Sequence, residues 1–434
     1  RWSVMQELFA DDKPTRAFLV AVQLPDVSDN KFQASVAEFG RLVTTLGMEV
    51  VGVESQKRPS FDAATYVGSG KVLEIKDKLE FDELDHPDDN YLVAVNNDIT
   101  PFQARALSDA LGFPVLDRTG VILEIFHRHA HSPQAKAQVE LVRLAYITPR
   151  IRELRKGMTY KQRGAARSKG VGERFGELDR RRVRDRITEL KAEIKAFETN
   201  QQARQKRRKD AYKVALVGYT NAGKSTFMRA LTDSDVLVAD KLFATLDTTV
   251  RMLSPAVEPT ILVSDTVGFL KDLPHGLVAS FKSTLEEALE ASLLLHIVDA
   301  SADDFDDQLK TTEQVLAEIE AGDIPTILVF NKVDLIKDPT RLELLKNWPD
   351  ALKVSAFSEP DVSLVHQKVC EFFFGEKIER WLVLRHDQGA LRSELYDNCE
   401  VLEEISDHDG IKIRVLGHRF HIESAAKLTG EQVT

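Results

Sequence analysis

Short apolar runs alternate with helical patterns over the N-terminal quarter of the chain. Four apolar runs predict strands, at residues 18–24, 48–53, 91–95 and 113–116. The stretches between them predict helices, at residues 32–46, 70–79 and 101–111. Strands that alternate with helices predict an α/β domain with a parallel sheet, because parallel neighbours need a crossover connection.

The pattern becomes helical from Val121 onwards. Two apolar seams recur with alternating spacings of four and three residues, and they consist of Ala135, Val139, Val142 and Tyr146, and of Val183, Ile187, Leu190, Ile194 and Phe197. Such seams predict an antiparallel two-helix arm packed on itself. The joining residues 156–176 are basic and glycine-rich, so they are expected to form a mobile tip. A polar, basic connector at residues 201–210 predicts a domain boundary.

A complete phosphate-binding loop follows this connector. The octet Gly218-Tyr-Thr-Asn-Ala-Gly-Lys-Ser225 stands between an apolar run and the start of a helix, which is the context that a P-loop requires. Glycine is needed where the backbone turns tightly around an anion. Lys224 is expected to reach the β- and γ-phosphates, and the Ser225 hydroxyl to coordinate Mg²⁺. The predicted nucleotide-binding residues of this segment are Gly218, Tyr219, Thr220, Asn221, Ala222, Gly223, Lys224, Ser225 and Thr226.

A weaker motif near the N-terminus is superficially similar to a second phosphate loop. Gly68-Ser-Gly-Lys71 lacks the spacing of a P-loop and the hydroxyl residue after the lysine. The sequence therefore favours a turn that starts a helix. An adenine-nucleotide activity of the N-terminal domain is the alternative that this motif leaves open.

The motif that follows the P-loop is predicted to contact both Mg²⁺ and the γ-phosphate. It comes after the apolar run 261–263 and consists of Asp265, Thr266, Val267 and Gly268. An aspartate at the end of a strand beside a P-loop is expected to hold Mg²⁺. The Gly268 N–H is expected to sense the γ-phosphate.

A third motif selects the base. Asn331-Lys-Val-Asp334 follows the apolar run 326–330. The Asp334 carboxylate can accept hydrogen bonds from N1–H and the N2 amino group of guanine, a donor pair that adenine lacks. Asn331 is expected to tie the base site to the P-loop, and the Lys332 stem to pack on the base. The order of the three motifs therefore predicts a guanine-nucleotide site.

Two loops complete the predicted site. Ser355-Ala356-Phe357 is expected to offer backbone N–H groups to guanine O6. Between the P-loop and Asp265, a threonine must complete the Mg²⁺ shell when the γ-phosphate is present. Thr245 is the first choice and Thr248 the alternative, within a predicted binding segment of Phe243, Ala244, Thr245, Leu246 and Asp247. The predicted catalytic residues are Lys224, Thr245 and Gly268, and the predicted Mg²⁺ ligands are Ser225, Thr245 and Asp265.

Phe269 stands where Ras-type GTPases carry a glutamine that orients the attacking water. A phenyl ring can neither donate to nor accept from water as an amide does, so intrinsic hydrolysis is expected to be slow. A partner surface, a potassium-like cation near Asn221 or a rearranged switch is expected to supply the missing organisation.

The charge distribution points to a nucleic-acid partner. The chain has a net charge of −11, yet residues 150–209 contain 21 Lys and Arg against 8 Asp and Glu, a surplus of +13. A basic block within an acidic protein is expected of a segment that meets a phosphate backbone. A flexible cationic tip suits structured RNA better than DNA bases, and no DNA-recognition motif occurs. The alternative is a solvated helix face whose charges pair along the helix.

Composition limits the compartment. No apolar run approaches 18 residues, so no membrane-spanning helix is expected. The two cysteines, Cys370 and Cys399, favour a reducing compartment. We expect a cytosolic protein, or one of an organelle matrix if an import segment has been removed, and a monomer when free.

Six segments, in order, resemble the HflX family of translational GTPases, which bind ribosomes. They are residues 66–71, 117–126, 136–141, 218–226, 243–247 and 265–269, within a resemblance that covers about residues 15 to 375. The resemblance implies an N-terminal α/β domain with a helical arm, a Ras-like GTPase domain with a mostly parallel sheet, and a small C-terminal α+β domain. The corresponding boundaries are residues 1–118, 119–210, 211–375 and 376–434.

The resemblance also implies a function. A family member is expected to dock on the large ribosomal subunit, with its arm tip near residues 157–176 against rRNA close to the peptidyl-transferase region. The implied activity is Mg²⁺-dependent, ribosome-stimulated GTP hydrolysis that splits ribosomes under stress. The alternative is an RNA-binding assembly factor for the large subunit that uses GTP mainly as an occupancy signal. The tip departs from the family pattern, since residues 170–175 replace its usual Gly-Pro-Gly-Glu-Thr-Gln.

Overall fold

The computed structural model is divided into two compact units, Arg1–Lys353 and Val354–Thr434. The residues that it describes are 15–162, 181–197, 212–233, 243, 249–257, 259–270, 288–375, 377–407 and 410–429. Within these ranges, no helix combines the length and the apolar composition that crossing a bilayer requires.

A four-stranded parallel sheet forms the N-terminal layer of the first unit. Its strands are β1 (Thr15–Gln23), β2 (Glu49–Lys57), β3 (Asn90–Val95) and β4 (Val115–Asp117). They lie in the order β2-β1-β3-β4. The helices of this layer are α1 (Asp29–Thr45), α2 (Ser69–Asp85), α3 (Pro101–Leu111) and α4 (Arg118–His129). The predicted alternation of strands and helices is confirmed.

Helices cover both faces of this sheet. Leu19 and Leu92 point toward the core that α1 and α4 complete. Val20 and Val93 point to the opposite core, which α2 and α3 complete. Strands buried on both faces need apolar residues at every position, which explains why β1 and β3 are nearly continuous apolar runs.

The weak second glycine motif starts a helix. Gly68 is the residue before α2, and Lys71 lies in its first turn. The Lys71 ammonium forms ion pairs with Glu54 at 2.9 Å and with Glu74 at 2.7 Å. Because Glu54 and Glu74 already neutralise the Lys71 ammonium, it is not free to bind a phosphate. This pairing supports the interpretation of the motif as the start of a helix.

Two helices form the predicted arm. They are α5 (Pro133–Gln162) and α6, which is described over residues 181–197. The apolar side chains between them are Ala137, Leu141, Leu144, Val183, Ile187, Leu190 and Ile194. The Arg186 guanidinium also donates to the Glu140 carboxylate at 2.8 and 3.0 Å.

The predicted seam on the first arm helix is wrong. Its residues pack into the N-terminal core instead of against α6, and they are Ala135, Val139, Val142 and Tyr146. The reason is that α5 has two apolar faces, one for each neighbour. The helix also continues to Gln162, into the stretch predicted as a tip, because Arg, Lys, Met and Gln are good helix formers. Residues 163–176 of the tip and the connector 201–210 lie outside the described residues.

Asp117 anchors the arm to the N-terminal layer. Its carboxylate caps α4 by accepting a hydrogen bond from the Gly120 N–H at 2.9 Å. The same carboxylate is paired with Arg150 and accepts a hydrogen bond from Tyr146, both on α5. Burial raises the pKa of Asp117, and the Arg150 charge opposes that change.

A six-stranded sheet follows the arm. Its strands are β5 (Tyr212–Gly218), β6 (Thr249–Met252), β7 (Ile261–Asp265), β8 (Leu293–Asp299), β9 (Thr326–Asn331) and β10 (Leu352–Lys353). They lie in the order β10-β9-β8-β5-β7-β6, and only the β6–β7 pair among them is antiparallel. The accompanying helices are α7 (Lys224–Thr232), α8 (Phe305–Glu318) and α9 (Pro339–Leu344). The predicted mostly parallel, P-loop GTPase sheet is confirmed.

One apolar core connects the two sheets of the first unit. It includes Phe39 and Phe126 from the N-terminal layer. It also includes Tyr219, Phe243 and Phe269 from segments around the predicted nucleotide site. Burial of this shared surface stabilises the contact between the two layers, so the N-terminal layer reaches the nucleotide-binding loops directly.

The second unit is a small α+β fold, as predicted. It contains α10 (Glu359–Phe374), β11 (Lys377–Leu384), α11 (Gly389–Asn398), β12 (Glu400–Asp407), β13 (Gly410–His418) and α12 (Arg419–Thr429). Its antiparallel sheet has the order β11-β13-β12. The sequence predicts only a helix at 390–395 and a strand at 411–416 within it. The predicted domain boundaries stay predictions.

Candidate functional site

The predicted P-loop connects the carboxyl end of β5 to α7. A Cβ atom on Gly218 would lie 2.1 Å from the Ile297 carbonyl oxygen, and one on Gly223 would lie 2.2 Å from Asn331 Nδ2. Both glycines also have positive φ angles, of 148° and 98°. Only glycine lets the loop pass its neighbours in this conformation.

Lys224 is buried beneath the loop. Its ammonium donates to the Gly218 carbonyl oxygen at 3.1 Å and to the Tyr219 carbonyl oxygen at 2.7 Å. Burial lowers the pKa of Lys224 to about 8, and the nearby Asp265 carboxylate opposes the shift. A phosphate that enters the loop would therefore meet a cation that the loop's own carbonyl groups already hold in position.

Two of the three predicted Mg²⁺ ligands lie side by side. The Ser225 hydroxyl donates to Asp265 Oδ2 at 2.7 Å. Asp265 ends β7 and is fully buried. A hydroxyl and a carboxylate are hard oxygen donors of the kind that Mg²⁺ prefers, so this pair fits the ion.

Gly268 lies against the P-loop. A Cβ atom there would lie 3.0 Å from Lys224 Nζ and 2.9 Å from Thr220 Cα. The preceding Thr266 hydroxyl is buried and donates to the Leu216 carbonyl oxygen at 2.7 Å, which ties this segment to β5. Val267 between them is also buried. The backbone of Gly268 is thus next to the lysine that the γ-phosphate would contact.

Phe269 is a core residue rather than a group that faces solvent. Its N–H donates to the Gly218 carbonyl oxygen at 3.1 Å, and its own carbonyl oxygen accepts from the Thr220 N–H at 2.7 Å. The side chain is only 2% exposed and packs with Tyr219 and Leu270. The ring is therefore turned away from any attacking water, in addition to lacking a polar atom.

The base motif is tied to the P-loop by two side chains. The Asn331 amide donates to the Ala222 carbonyl oxygen at 2.8 Å, which is the connection that the sequence predicts. The Lys332 ammonium donates to the Asn221 carbonyl oxygen at 2.8 Å. Asn221 and Lys332 both have φ near +61°. The two motifs therefore form one connected structure.

Asp299 is a site residue that sequence reasoning missed. Its carboxylate pairs with the Lys332 ammonium at 2.8 Å, so it fixes the stem that is expected to pack on the base. Asp299 ends the apolar strand β8. A carboxylate at the end of a central strand beside a P-loop was the available signal.

The remaining predicted base contacts differ in exposure. Asp334 is exposed in the short 3-10 turn Val333–Leu335. Ser355 and Ala356 are buried in the second unit, whereas Phe357 is 79% exposed. The Ser355 N–H donates to the Asp361 carboxylate at 2.8 Å, and the Phe357 N–H donates to Ser355 Oγ at 3.4 Å. The contact of this segment with guanine O6 stays a prediction.

Part of the predicted site lies outside the described residues. This part contains Thr245, the alternative Thr248, and the flanking residues Ala244, Leu246 and Asp247. Phe243, which precedes them, is buried in the core that connects the two sheets. Thr226 lies in the first turn of α7. The roles assigned to all of these residues stay predictions.

Three family models match the chain. Residues 33–127 match a family described as GTP-binding GTPase N-terminal, and residues 129–208 match one described as GTP-binding GTPase Middle Region. Residues 213–332, which include the P-loop and both downstream motifs, match a family described as 50S ribosome-binding GTPase.

Two relatives align with the chain over more than nine-tenths of its length. The chain is 47% identical over 432 residues to GTPase HflX of Gluconacetobacter diazotrophicus, an alignment that covers 92% of this chain and 95% of that protein. It is 37% identical over 413 residues to GTPase HflX of Caldanaerobacter subterraneus subsp. tengcongensis, with coverage of 94% and 92%. A solved GTP-binding protein from the hyperthermophilic archaeon Sulfolobus solfataricus in complex with GDP is 23% identical. That comparison covers 82% of this chain and 98% of the other, with a TM-score of 0.42.

Proposed function

The chain belongs to the GTPase HflX family, and from that membership we propose that it binds the large ribosomal subunit and splits ribosomes under stress. It is a P-loop enzyme that binds and hydrolyses GTP. The observation that best supports the proposal is that one chain contains both the motifs of a guanine-nucleotide site and, just before them, a segment of charge +13 at residues 150–209.

The chain's own residues account for nucleotide binding but not for fast hydrolysis. The Lys224 ammonium is proposed to neutralise phosphate charge, and the Gly268 N–H to donate to the γ-phosphate; the closeness of Gly268 to Lys224 supports both roles. Ser225 and Asp265 would hold Mg²⁺, which neutralises charge between the β- and γ-phosphates when bound. The buried, apolar Phe269 ring cannot orient the attacking water. We infer that GTP turnover by the free chain is slow and that the ribosome accelerates it.

The proposed partner follows from the family description and from charge. The domain at residues 213–332 belongs to a family described as 50S ribosome-binding GTPase. The basic arm fits rRNA, and its tip near residues 157–176 is proposed to approach the peptidyl-transferase region. The protein is proposed to be a cytoplasmic monomer when free, without specific DNA contacts.

Light scattering of intact ribosomes tests the splitting activity. Addition of the full chain with a non-hydrolysable GTP analogue is expected to lower the scattering as subunits separate. The Lys224→Ala variant is the negative control, because loss of the buried cation should abolish nucleotide binding. Unchanged scattering, combined with tight binding only to immature large subunits, would refute splitting and support the assembly-factor alternative.

GTP turnover with and without ribosomes tests the catalytic inference. The rate is expected to rise at least tenfold when ribosomes are added, because a docked partner can supply the orientation that Phe269 cannot. A rate that neither ribosomes nor a change of monovalent cation alters would contradict this account of Phe269.

A further inference from the structure

A carboxylate of the N-terminal layer reaches the P-loop. Glu38, on α1, is 8% exposed, and its Oε1 atom accepts a hydrogen bond of 2.8 Å from the Tyr219 hydroxyl. Tyr219 is the second residue of the P-loop and is 6% exposed. The two residues are 181 positions apart in sequence. The contact therefore joins two domains at the nucleotide loop itself.

The same carboxylate is neutralised from its other side. Glu38 Oε2 is 3.2 Å from the Arg118 guanidinium, which is 3% exposed. Arg118 also donates to Asn96 Oδ1 at 3.0 Å, and the Asn96 amide donates to Ser35 Oγ at 3.1 Å. A buried charge is stable only when it is paired and hydrogen-bonded, and this network meets that requirement for Glu38.

The backbone of Tyr219 supports the phosphate site. Its carbonyl oxygen accepts the 2.7 Å hydrogen bond from the Lys224 ammonium. The residue also forms a parallel bridge with Phe269, the residue after the γ-phosphate sensor Gly268. Any displacement of the Tyr219 side chain would therefore move a carbonyl group that holds the phosphate-binding lysine.

Two further contacts join the same surfaces. The Phe126 ring, on α4, packs against the Phe243 ring with centroids 4.6 Å apart. Phe243 immediately precedes the segment that contains Thr245. Lys31, on α1, forms an ion pair of 2.8 Å with Asp307 on α8. The N-terminal layer thus contacts the P-loop, the start of the Thr245 segment and the surface of the GTPase layer.

We propose that Glu38 is a positioning residue for guanine nucleotide: through the Tyr219 hydroxyl it holds the P-loop in its phosphate-binding geometry. The N-terminal layer thereby sets how long the nucleotide stays bound. The loop is pre-organised while this hydrogen bond exists, and it loses part of its affinity when the bond is absent. The proposal concerns the nucleotide site alone and does not depend on ribosome binding.

The test compares the release of a fluorescent GDP from the full chain and from two conservative variants. Tyr219→Phe removes only the hydroxyl, and Glu38→Gln keeps the shape but removes the charge. Tyr219→Phe is expected to release GDP about tenfold faster, as the loss of one hydrogen bond to a buried charge predicts. Glu38→Gln is expected to accelerate release less, because its amide oxygen can still accept from the Tyr219 hydroxyl. The double variant is expected to release GDP no faster than Tyr219→Phe alone, because both changes act through the same hydrogen bond.

A matched control separates positioning from stability. Tyr66 is another fully buried tyrosine of the N-terminal layer, with a hydroxyl that accepts from the Val22 N–H and donates to Asn97. Tyr66→Phe is expected to lower the thermal midpoint but to leave GDP release unchanged. If Tyr219→Phe likewise lowers the midpoint and keeps the wild-type release rate, the contact is only structural and the proposal is wrong. If Glu38→Gln does not fold, the GDP release rate and the thermal midpoint of Tyr219→Phe still test the proposal.

Discussion

At the residue scale, base choice is predicted to depend on one exposed carboxylate. Asp334 lies in a 3-10 turn directly after Lys332, whose positive φ angle of 61° sets the direction of that turn. No other carboxylate belongs to the predicted base motif. We therefore expect the hydrogen-bond acceptors of this side chain to select the bound base.

Asp334→Asn is expected to exchange guanine preference for xanthine preference. The new amide can donate to the C2 carbonyl of xanthine but can no longer accept both guanine donors. The preference for GDP over xanthosine diphosphate should fall on the order of a hundredfold or more, as measured by competition against labelled GDP. Asp338→Asn is the matched control, because Asp338 is an exposed helix cap that bonds to Thr340. Guanine selectivity that survived in Asp334→Asn would show that the base is read elsewhere.

A buried histidine makes the fold sensitive to acid. His296, on β8, is 3% exposed, and its Nε2 atom has no hydrogen-bond partner among the described residues. Burial and, to a smaller extent, the Lys224 charge lower the pKa of His296 to about 4. The unfolded chain binds this proton near pH 6.5 and the folded chain does not. The contribution of neutral His296 to the free energy of unfolding is therefore fully present above pH 6.5 and is lost as the pH falls toward 4.

Urea unfolding at pH 7 and pH 5 measures this effect. The wild type is expected to lose about 2 kcal/mol from this group between the two pH values. His296→Leu replaces the titrating group with an apolar side chain of similar size. The free energy of unfolding of this variant should therefore fall by about 2 kcal/mol less between pH 7 and pH 5 than that of the wild type. An equal loss in both proteins would mean that His296 is not the acid-sensitive group.

At the element scale, α5 shows why the arm was only partly predictable. Its apolar periodicity predicts a helix, and the helix is present. The residues on its two apolar faces are offset by two positions, as Val139 and Leu141 illustrate. The spacing of apolar residues cannot identify the neighbour that each face contacts, because both faces show the three- and four-residue spacing of a helix. In the folded chain, Val139 packs in the N-terminal core and Leu141 packs against α6. Contacts with segments that are distant in sequence determine this arrangement.

Leu190→Ala is expected to loosen the arm without affecting the nucleotide site. Leu190 is fully buried between α5 and α6. Its truncation should cost about 2 to 3 kcal/mol of local stability. Amide hydrogen exchange over residues 181–197 should accelerate accordingly, while GDP release stays at the wild-type rate. Val139→Ala, on the other face of α5, should instead accelerate exchange in the N-terminal core. Unchanged exchange at 181–197 would contradict the packing of α6 on α5.

The strands and the nucleotide motifs were predictable because their signals are local. An apolar run such as 213–217 and a glycine loop such as 218–225 need only neighbouring residues to be recognised. Glu38 carries no such signal, since its partner Tyr219 is far away in sequence. A glutamate on an amphipathic helix normally faces solvent, and only the folded chain shows that Glu38 is buried against Tyr219.

At the scale of the whole molecule, the first unit joins the predicted nucleotide site to the arm that is proposed to bind RNA. The core shared by the two sheets connects α1 and α4 to the P-loop. The arm helix α5 packs on the same N-terminal core and is fixed to α4 through Asp117. The first arm helix therefore packs on the same layer that contacts the nucleotide loop. A change at the nucleotide has a continuous packed route to the arm.

We expect guanine nucleotide to control binding of the chain to the ribosome. Cosedimentation of the full chain with isolated large subunits, in GTP analogue, in GDP and without nucleotide, measures this control. Binding is expected to be at least tenfold tighter with the analogue than with GDP, and weak without nucleotide. Equal binding in all three conditions, or none in any of them, would contradict this expectation.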